Sequence, residues 1–473
     1  MKRPILTSLL AGIILSLPTH LILAGDAPLE TKPGANLPRT MKLITTSTRQ
    51  KRNTVRVLFY GQSITAQWSG AMEKWLRKTY PSVNFVFGHK AIGGFGAARL
   101  VKTTPTDVLP FYPDLVIFHD YTEDPVPYEE MIRTMLAGTT TEILIANDHV
   151  TKPEQMTEET DPAKVKQEDY IPWHNYYFLP DLSRRYGLEF VNVRDEWKSH
   201  LKSQSLEPDK LLKDVVHLNE PGVEVMREII SKHFQYVPGK EASPEKVTEF
   251  EVGKDVQWVD NKLELEFQGN RVDIIAKEGP RAESATDVLI DGKKPSELSG
   301  TIVFNRTSQY PDTWWPAVMR IGSETALVPE DWTLRIFEAS DDMKDFKFEV
   351  TGSVTGPDGT GTSTEKFVSN SKRVIIDPDD WHIARARDMT KKPMPEGFTV
   401  TWKAVPQSMD QYNAPRVMTN VVETATTVAQ GFPSGTHRLT LIAPPNTTPP
   451  AIQSIRVYRP EVPQGAPTQT AAQ

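Results

Sequence analysis

The sequence predicts an α/β domain built on a parallel sheet, followed by an all-β domain. Three observations lead there. Between residues 54 and 237, short apolar runs alternate with helical periodicities, the pattern of a parallel sheet covered on both faces. After Val237 the period changes to two, with turn residues between the runs. Two polar motifs, Gly61-Gln62-Ser63 and Asp214-Val215-Val216-His217, fall at element junctions, where such sheets gather their reactive groups.

Taken in order, Val55 to Tyr60 is an unbroken apolar run and is expected as a buried strand. Trp68, Met72, Trp75 and Leu76 then recur at helical spacing. Val83–Phe87 and Leu115–Phe118 are expected as the next strands, the latter bracketed by Pro113 and Asp120. Met131, Ile132, Met135 and Leu136 mark an amphipathic helix. Ile143–Ala146 and Phe190–Val193 add two more strands. Pro221, suited to a first helical turn, opens a helix carrying Val225, Met226, Ile229, Ile230 and Phe234. The acidic stretch 150–172 is expected as an excursion over one rim of the sheet. From 243 to 460 the alternation of Leu263, Leu265 and Phe267, of Val272 and Ile274, and of Val288 and Ile290 indicates a β-sandwich with long loops. Trp314 and Trp315 are adjacent, so on a strand one faces the core and the other is a candidate sugar platform, with packing the favoured role for the pair. Trp332 and Trp381 are expected in the core.

A chain of 473 residues exceeds one ordinary core and calls for two or three domains. The net charge of −7 argues against a broad nucleic-acid surface. Lys2 and Arg3 precede an apolar run, and the small residues Ala24, Gly25 and Ala27 follow it. Residues 1–27 are therefore expected to be an export signal, with no membrane attachment after cleavage and a periplasmic or secreted product. The chain has no cysteine, which excludes disulfides and a lipid-bearing cysteine. Residues 28–53 are expected as a linker, 54–237 and 243–460 as the two domains, and 461–473 as a disordered tail.

Ser63 follows the first strand, and Asp214 and His217 precede the last helix. Serine needs a neighbouring base to become a nucleophile. Histidine supplies one near neutral pH, and a carboxylate fixes its tautomer. A spacing of three lets Asp214 and His217 share one side of a turn. The histidines are scattered without zinc-ligand spacing, so neither metal nor organic cofactor is expected. Asp358, in Pro357-Asp358-Gly359, is expected in a glycine-rich turn and not at a calcium site.

These motifs together resemble the SGNH (GDSL-like) hydrolase superfamily over about residues 54–236, in a carbohydrate acetylesterase-like variant with Gln62 before the serine. The resemblance implies a flavodoxin-like, three-layer α/β/α domain. It implies Ser63 as nucleophile, His217 as base and Asp214 as its partner. It also implies oxyanion donation by the backbone N–H groups of Ser63 and Gly94, with Gly93 as the alternative to Gly94. The family's third block normally carries an asparagine donor. Here the strand ends Phe118-His119-Asp120-Tyr121, without one, and His119 and Tyr121 are the candidate replacements. Gln62, Asp120 and His149 are further candidates for substrate contact at the same rim. Phe267–Asp273, Asp287–Lys293 and Gly435–Leu439 resemble the jelly-roll modules that accompany such esterases, implying carbohydrate contact or domain packing. The expected activity is an exported serine esterase acting on an acetylated polysaccharide. The alternatives are a carbohydrate-binding or scaffold protein with reduced catalysis, and a lipase or thioesterase.

Overall fold

The computed structural model describes residues 32–121, 124–395 and 397–461. The expected export signal, and the tail beyond Glu461, lie outside the described residues. The first domain is a five-stranded parallel sheet formed by β1 (Thr54–Gly61), β2 (Asn84–His89), β3 (Leu115–His119), β4 (Glu142–Ala146) and β5 (Glu189–Val191). Its strand order is β2-β1-β3-β4-β5, the flavodoxin-like order, which reverses direction between β1 and β3.

The strand sequences explain why both faces are covered. Along β1, Val55, Val57 and Phe59 project to one side and Leu58 and Tyr60 to the other, and all five are buried. The first set packs with α2 (Ser63–Thr79) through Ile64, Trp68 and Met72. The second packs with α3 (Ala97–Asp107) and α4 (Pro125–Gly138) through Leu100, Tyr128, Met131 and Ile132. The elements expected from periodicity form within a few residues of their predicted bounds.

The 28–53 segment departs from the expected linker. Over Pro38–Thr45 it forms α1, and Leu37, Met41 and Ile44 join the buried cluster. Its low apolar content hid this helix, which is held by anchors distant in sequence. Glu189 accepts from the N–H groups of Gly34 and Asn36, and Glu142 from those of Arg39 and Thr40. The 150–172 excursion is only partly irregular. At its end α5 (Tyr170–Trp173) runs through a π turn (His174–Phe178) into α6 (Leu179–Tyr186). Two more helices complete the layer on the Trp68 side: α7 (Val193–Gln204), capped by Asn192, and α8 (Glu220–Ser231), capped by Asn219.

The β region holds two large antiparallel sheets and a two-stranded one. The outer sheet has the order β17-β9-β18-β8-β19-β6, using β6 (Val247–Glu251), β8 (Lys262–Ala276), β9 (Thr286–Ile290), β17 (Gln411–Tyr412), β18 (Ala425–Ile442) and β19 (Ile452–Tyr458), with β7 (Trp258–Val259) beside β8. The second sheet lies wholly between β9 and β17 in the chain. Its order is β10-β16-β11-β12-β13, from β10 (Ile302–Phe304), β11 (Glu330–Phe337), β12 (Lys347–Gly352), β13 (Gly356–Thr362) and β16 (Thr399–Pro406). It is therefore an insert. A short pair, β14 (Phe367–Val368) with β15 (Ile375–Ile376), and the helix α9 (Ile383–Thr390) supply residues to its core, where Trp332 stacks on Trp402. Asp358, expected in a turn, lies on β13 and accepts from the amide and hydroxyl of Ser371 in the turn between β14 and β15.

Both β units pack on the first domain. The first half of β8 alternates exposed and buried residues, whereas Gly269–Ala276 are buried on both faces. That switch marks the joint. Asn270 accepts from the Tyr112 hydroxyl and donates to the Gly138 carbonyl, and Arg271 is sandwiched between Tyr112 and Tyr458. Against burial, which favours the neutral acid, Arg271 holds the Asp273 carboxyl below its usual range. The insert docks separately: Arg306 reaches Asp107 at the end of α3 with two bonds of 3.0 and 2.6 Å.

The Asp107 side chain is fully buried, and its only other cation among the described residues is Lys90 at 3.9 Å. Removing one partner of such a pair strands the other charge out of water. Arg306→Ala is expected to cost about 3 kcal/mol, read as a lower unfolding midpoint in calorimetry. An unchanged midpoint would refute this pair as a main tie between insert and first domain.

Candidate active site

Ser63 sits where β1 gives way to α2. The chain turns there through Gly61, at φ +141°, and a Cβ at that position would lie 2.0 Å from the His119 carbonyl oxygen. Only glycine allows β1 and β3 to come this close. The helix that follows has no side-chain cap, so its first N–H groups, Ser63 among them, are not taken up by a capping side chain. Serine is thereby presented at the carboxyl edge of the sheet, at the strand-order reversal.

Ser63, His217 and Asp214 converge. The Ser63 hydroxyl lies 3.0 Å from His217 Nε2, and His217 Nδ1 lies 2.9 Å from Asp214 Oδ2. These distances fit proton transfer from the hydroxyl and orientation of the ring by the carboxylate. Asp214 Oδ1 also accepts from the backbone N–H groups of His217 and Val216, at 2.8 and 3.0 Å. Those bonds, that of His217 foremost, hold its carboxyl down to about 2. The carboxylate therefore stays charged across the working range of an imidazole.

The turn that carries the pair is tied down on several sides. Lys213 donates to the His217 carbonyl, and Asn219 Nδ2 reaches the carbonyls of Lys210 and Leu212. Gly222 leaves room for the Leu211 carbonyl, 2.1 Å from where its Cβ would stand. On α2, one turn after the serine, Gln67 accepts from the Leu218 N–H at 3.1 Å and donates to the Leu218 carbonyl at 3.3 Å. Gln67 thus ties the Asp214–His217 turn to the helix that carries Ser63. It was not singled out in the sequence, though its position four residues past Ser63 put it on the same helix face.

The third block turns inward. Gln62 Nε2 donates to Asp120 Oδ1 at 2.5 Å and to the Tyr121 carbonyl at 2.7 Å. His119 and Asp120 are 0% and 1% exposed, which corrects their expected place at the substrate rim. His119 lies 3.4 Å from Asp148. Tyr121 is half-buried, and burial, followed by Asp148, pushes its hydroxyl up to about 12. His149 is also corrected from rim to interior: it is fully buried, and its Nε2 donates to the Val216 carbonyl at 2.8 Å.

His149 ends a buried relay. Glu158 makes two bonds to Arg194, 2.5 and 2.7 Å long. Arg194 is itself fully buried and donates to the carbonyls of Asp148 and His149. The expected rim excursion, through Glu158, therefore braces the Asp214–His217 turn from behind.

The Gly93–Gly94 loop follows β2. Gly94 adopts φ +79°, and Ile92 N–H bonds the Gly61 carbonyl, tying this loop to the serine turn. A Cβ on Gly93 would stand 3.6 Å from Ser63 Cβ. The Gly93 carbonyl accepts from two indoles of the β insert, Trp314 Nε1 at 2.8 Å and Trp315 Nε1 at 2.6 Å. Trp315 is buried, whereas Trp314 is 52% exposed beside the serine. The tryptophan pair expected mainly to pack is thus part of the site wall. Among the described residues, no group of three or more His, Asp or Glu side chains is arranged to hold a metal ion.

No family model and no curated protein matches the chain. Among solved structures, an acetylxylan esterase from Geobacillus stearothermophilus aligns at 17% identity over 41% of this chain and 100% of its own, with a TM-score of 0.32. A two-domain esterase active on acetylated mannans, co-crystallised with mannopentaose, aligns at 11% identity over 90% of this chain and 95% of its own, with a TM-score of 0.33.

Three buried imidazoles give the site region a pH signature. Burial lowers His149 and His174 from 6.5 to about 4. Burial, followed by Arg99 and Arg385, takes His382 to about 3. In the unfolded chain each binds a proton near 6.5, whereas in the folded protein each stays neutral until pH 4 or below. The unfolded state therefore takes up more protons, and stability falls as pH drops from 6.5 towards 4. Thermal unfolding across that range should show a falling midpoint, less steep in His149→Phe. A flat profile would contradict the neutral state of these rings.

Proposed function

We propose that this protein is an exported serine esterase of the SGNH type that removes O-acetyl groups from a polysaccharide. The observation that carries this reading is the 3.0 Å approach of the Ser63 hydroxyl to His217 Nε2, with Asp214 behind the ring. Ser63 Oγ bonds to the ester carbonyl carbon while its proton passes to His217. Asp214 steadies the imidazolium. The Ser63 and Gly94 N–H groups face the oxyanion. On collapse the sugar oxygen leaves with the proton from His217, and the acetyl group stays on Ser63. Water, deprotonated by the same imidazole, then releases acetate.

The half-exposed Trp314 beside the serine supports a carbohydrate substrate, since indole faces stack on pyranose rings. Export is inferred from Lys2, Arg3 and the apolar run that follows them. One observation favours a second reading, a glycan-binding protein with weak turnover. The third block has no asparagine, and the His119 and Asp120 side chains are buried. Loss of one oxyanion donor costs about 10²–10³ in rate.

Ser63→Ala separates the two readings. Esterase function predicts that the parent hydrolyses p-nitrophenyl acetate and acetylated xylan or mannan. The variant should fall by about 10³ or more with an unchanged unfolding midpoint. A parent protein that binds these glycans but releases no acetate would leave the second reading standing.

A further inference from the structure

The Gly93–Gly94 peptide is gripped by a different domain. Two indole N–H groups from adjacent residues converge on a single carbonyl oxygen, at 2.8 and 2.6 Å. One tryptophan would suffice to pack the insert against the loop; two donors on one acceptor fix a direction. A trans peptide is planar, with its N–H opposite its C=O. Turning the Gly93 oxygen towards the insert therefore turns the Gly94 N–H the other way. Gly94, at φ +79°, has no side chain to set its own orientation, and a Cβ there would crowd Trp315 at 3.1 Å.

The two indoles differ in what else they do. Trp315 is 4% exposed, and its ring lies 4.9 Å from His382 and 6.4 Å from Phe95, centroid to centroid. It is an anchor built into the joint between the insert and the glycine loop. Trp314 shares the same acceptor yet leaves half its surface in solvent. A large apolar side chain kept exposed, hydrogen-bonded in place and next to a nucleophile is a stacking surface held ready.

We infer that the inserted β unit completes the active site: Trp314 and Trp315 orient the Gly93–Gly94 peptide so that the Gly94 N–H meets the oxyanion, and the open face of Trp314 binds the sugar ring that carries the ester. This rests on the esterase reading above and assigns positioning roles to both tryptophans. It also makes the first domain alone an incomplete enzyme.

The test uses the full chain. Phenylalanine keeps the ring and removes the donor, so Trp314→Phe with Trp315→Phe should lower kcat on p-nitrophenyl acetate about 10- to 100-fold, with KM nearly unchanged. Trp314→Ala should in addition raise KM for acetylated oligosaccharides several-fold while sparing KM for the small ester. A merely structural pair would lower the amount of folded enzyme without that split. Full parental kcat in the double phenylalanine variant overturns the orienting role. An unchanged glycan KM in Trp314→Ala overturns the stacking role. Activity of the parent itself, measured first, decides the esterase reading separately. A crystal structure of the double variant answers independently of turnover: a rotated Gly93–Gly94 peptide supports the inference, and an unmoved one overturns it.

Discussion

The site depends on one constraint, the close approach of β1 and β3 at their carboxyl ends. Gly61 meets the His119 carbonyl where any Cβ would collide with it. Because the strands touch there, Thr65 can donate to the His119 carbonyl at 2.9 Å, and Gln62 can reach Asp120 and the Tyr121 carbonyl. The serine turn and the segment after β3 are thereby locked to each other before any ligand arrives. The serine is carried at the start of α2 by this lock, at the point where strand order reverses and a parallel sheet leaves an open crevice.

His217 is held by a different device. With Asp214 it lies on an exposed turn, which alone would be a mobile place for a paired imidazole and carboxylate. Buried polar chemistry beneath it compensates. Arg194, with Glu158 as its partner, fixes the backbone that carries His149, and His149 fixes the Val216 carbonyl. Buried charges of this kind are costly unless every partner is in place. The same cost makes the arrangement rigid, since each member loses most by moving alone. Gln67 closes the circuit by linking the turn back to the serine helix.

The β region serves the site through its insert. The outer sheet joins the first domain at Asn270 and Arg271, far along the chain from Ser63 and His217. The insert leaves that sheet after β9, docks through Arg306 on Asp107, and presents its tryptophans to the glycine loop. A segment that reads in the sequence as an appended module is thus in direct contact with the glycine loop beside Ser63.

Much of this was legible in the residues. The parallel sheet, the amphipathic helices α2, α4 and α8, and the Ser63, Asp214 and His217 set follow from local patterns, because burial imposes a period on each element and catalysis demands particular side-chain types. Helix α1 was not legible, because its few apolar residues are stabilised by Glu142 and Glu189, over a hundred residues away. The inward fate of His119, Asp120 and His149 was hidden for a related reason: a polar residue after a strand reads alike whether it faces solvent or a buried partner. The sequence by itself determined which groups could do the chemistry. The tertiary structure alone decided that two indoles of a distant insert would grip the Gly93 carbonyl, since a hydrogen bond spanning some 220 positions leaves no periodicity along the chain.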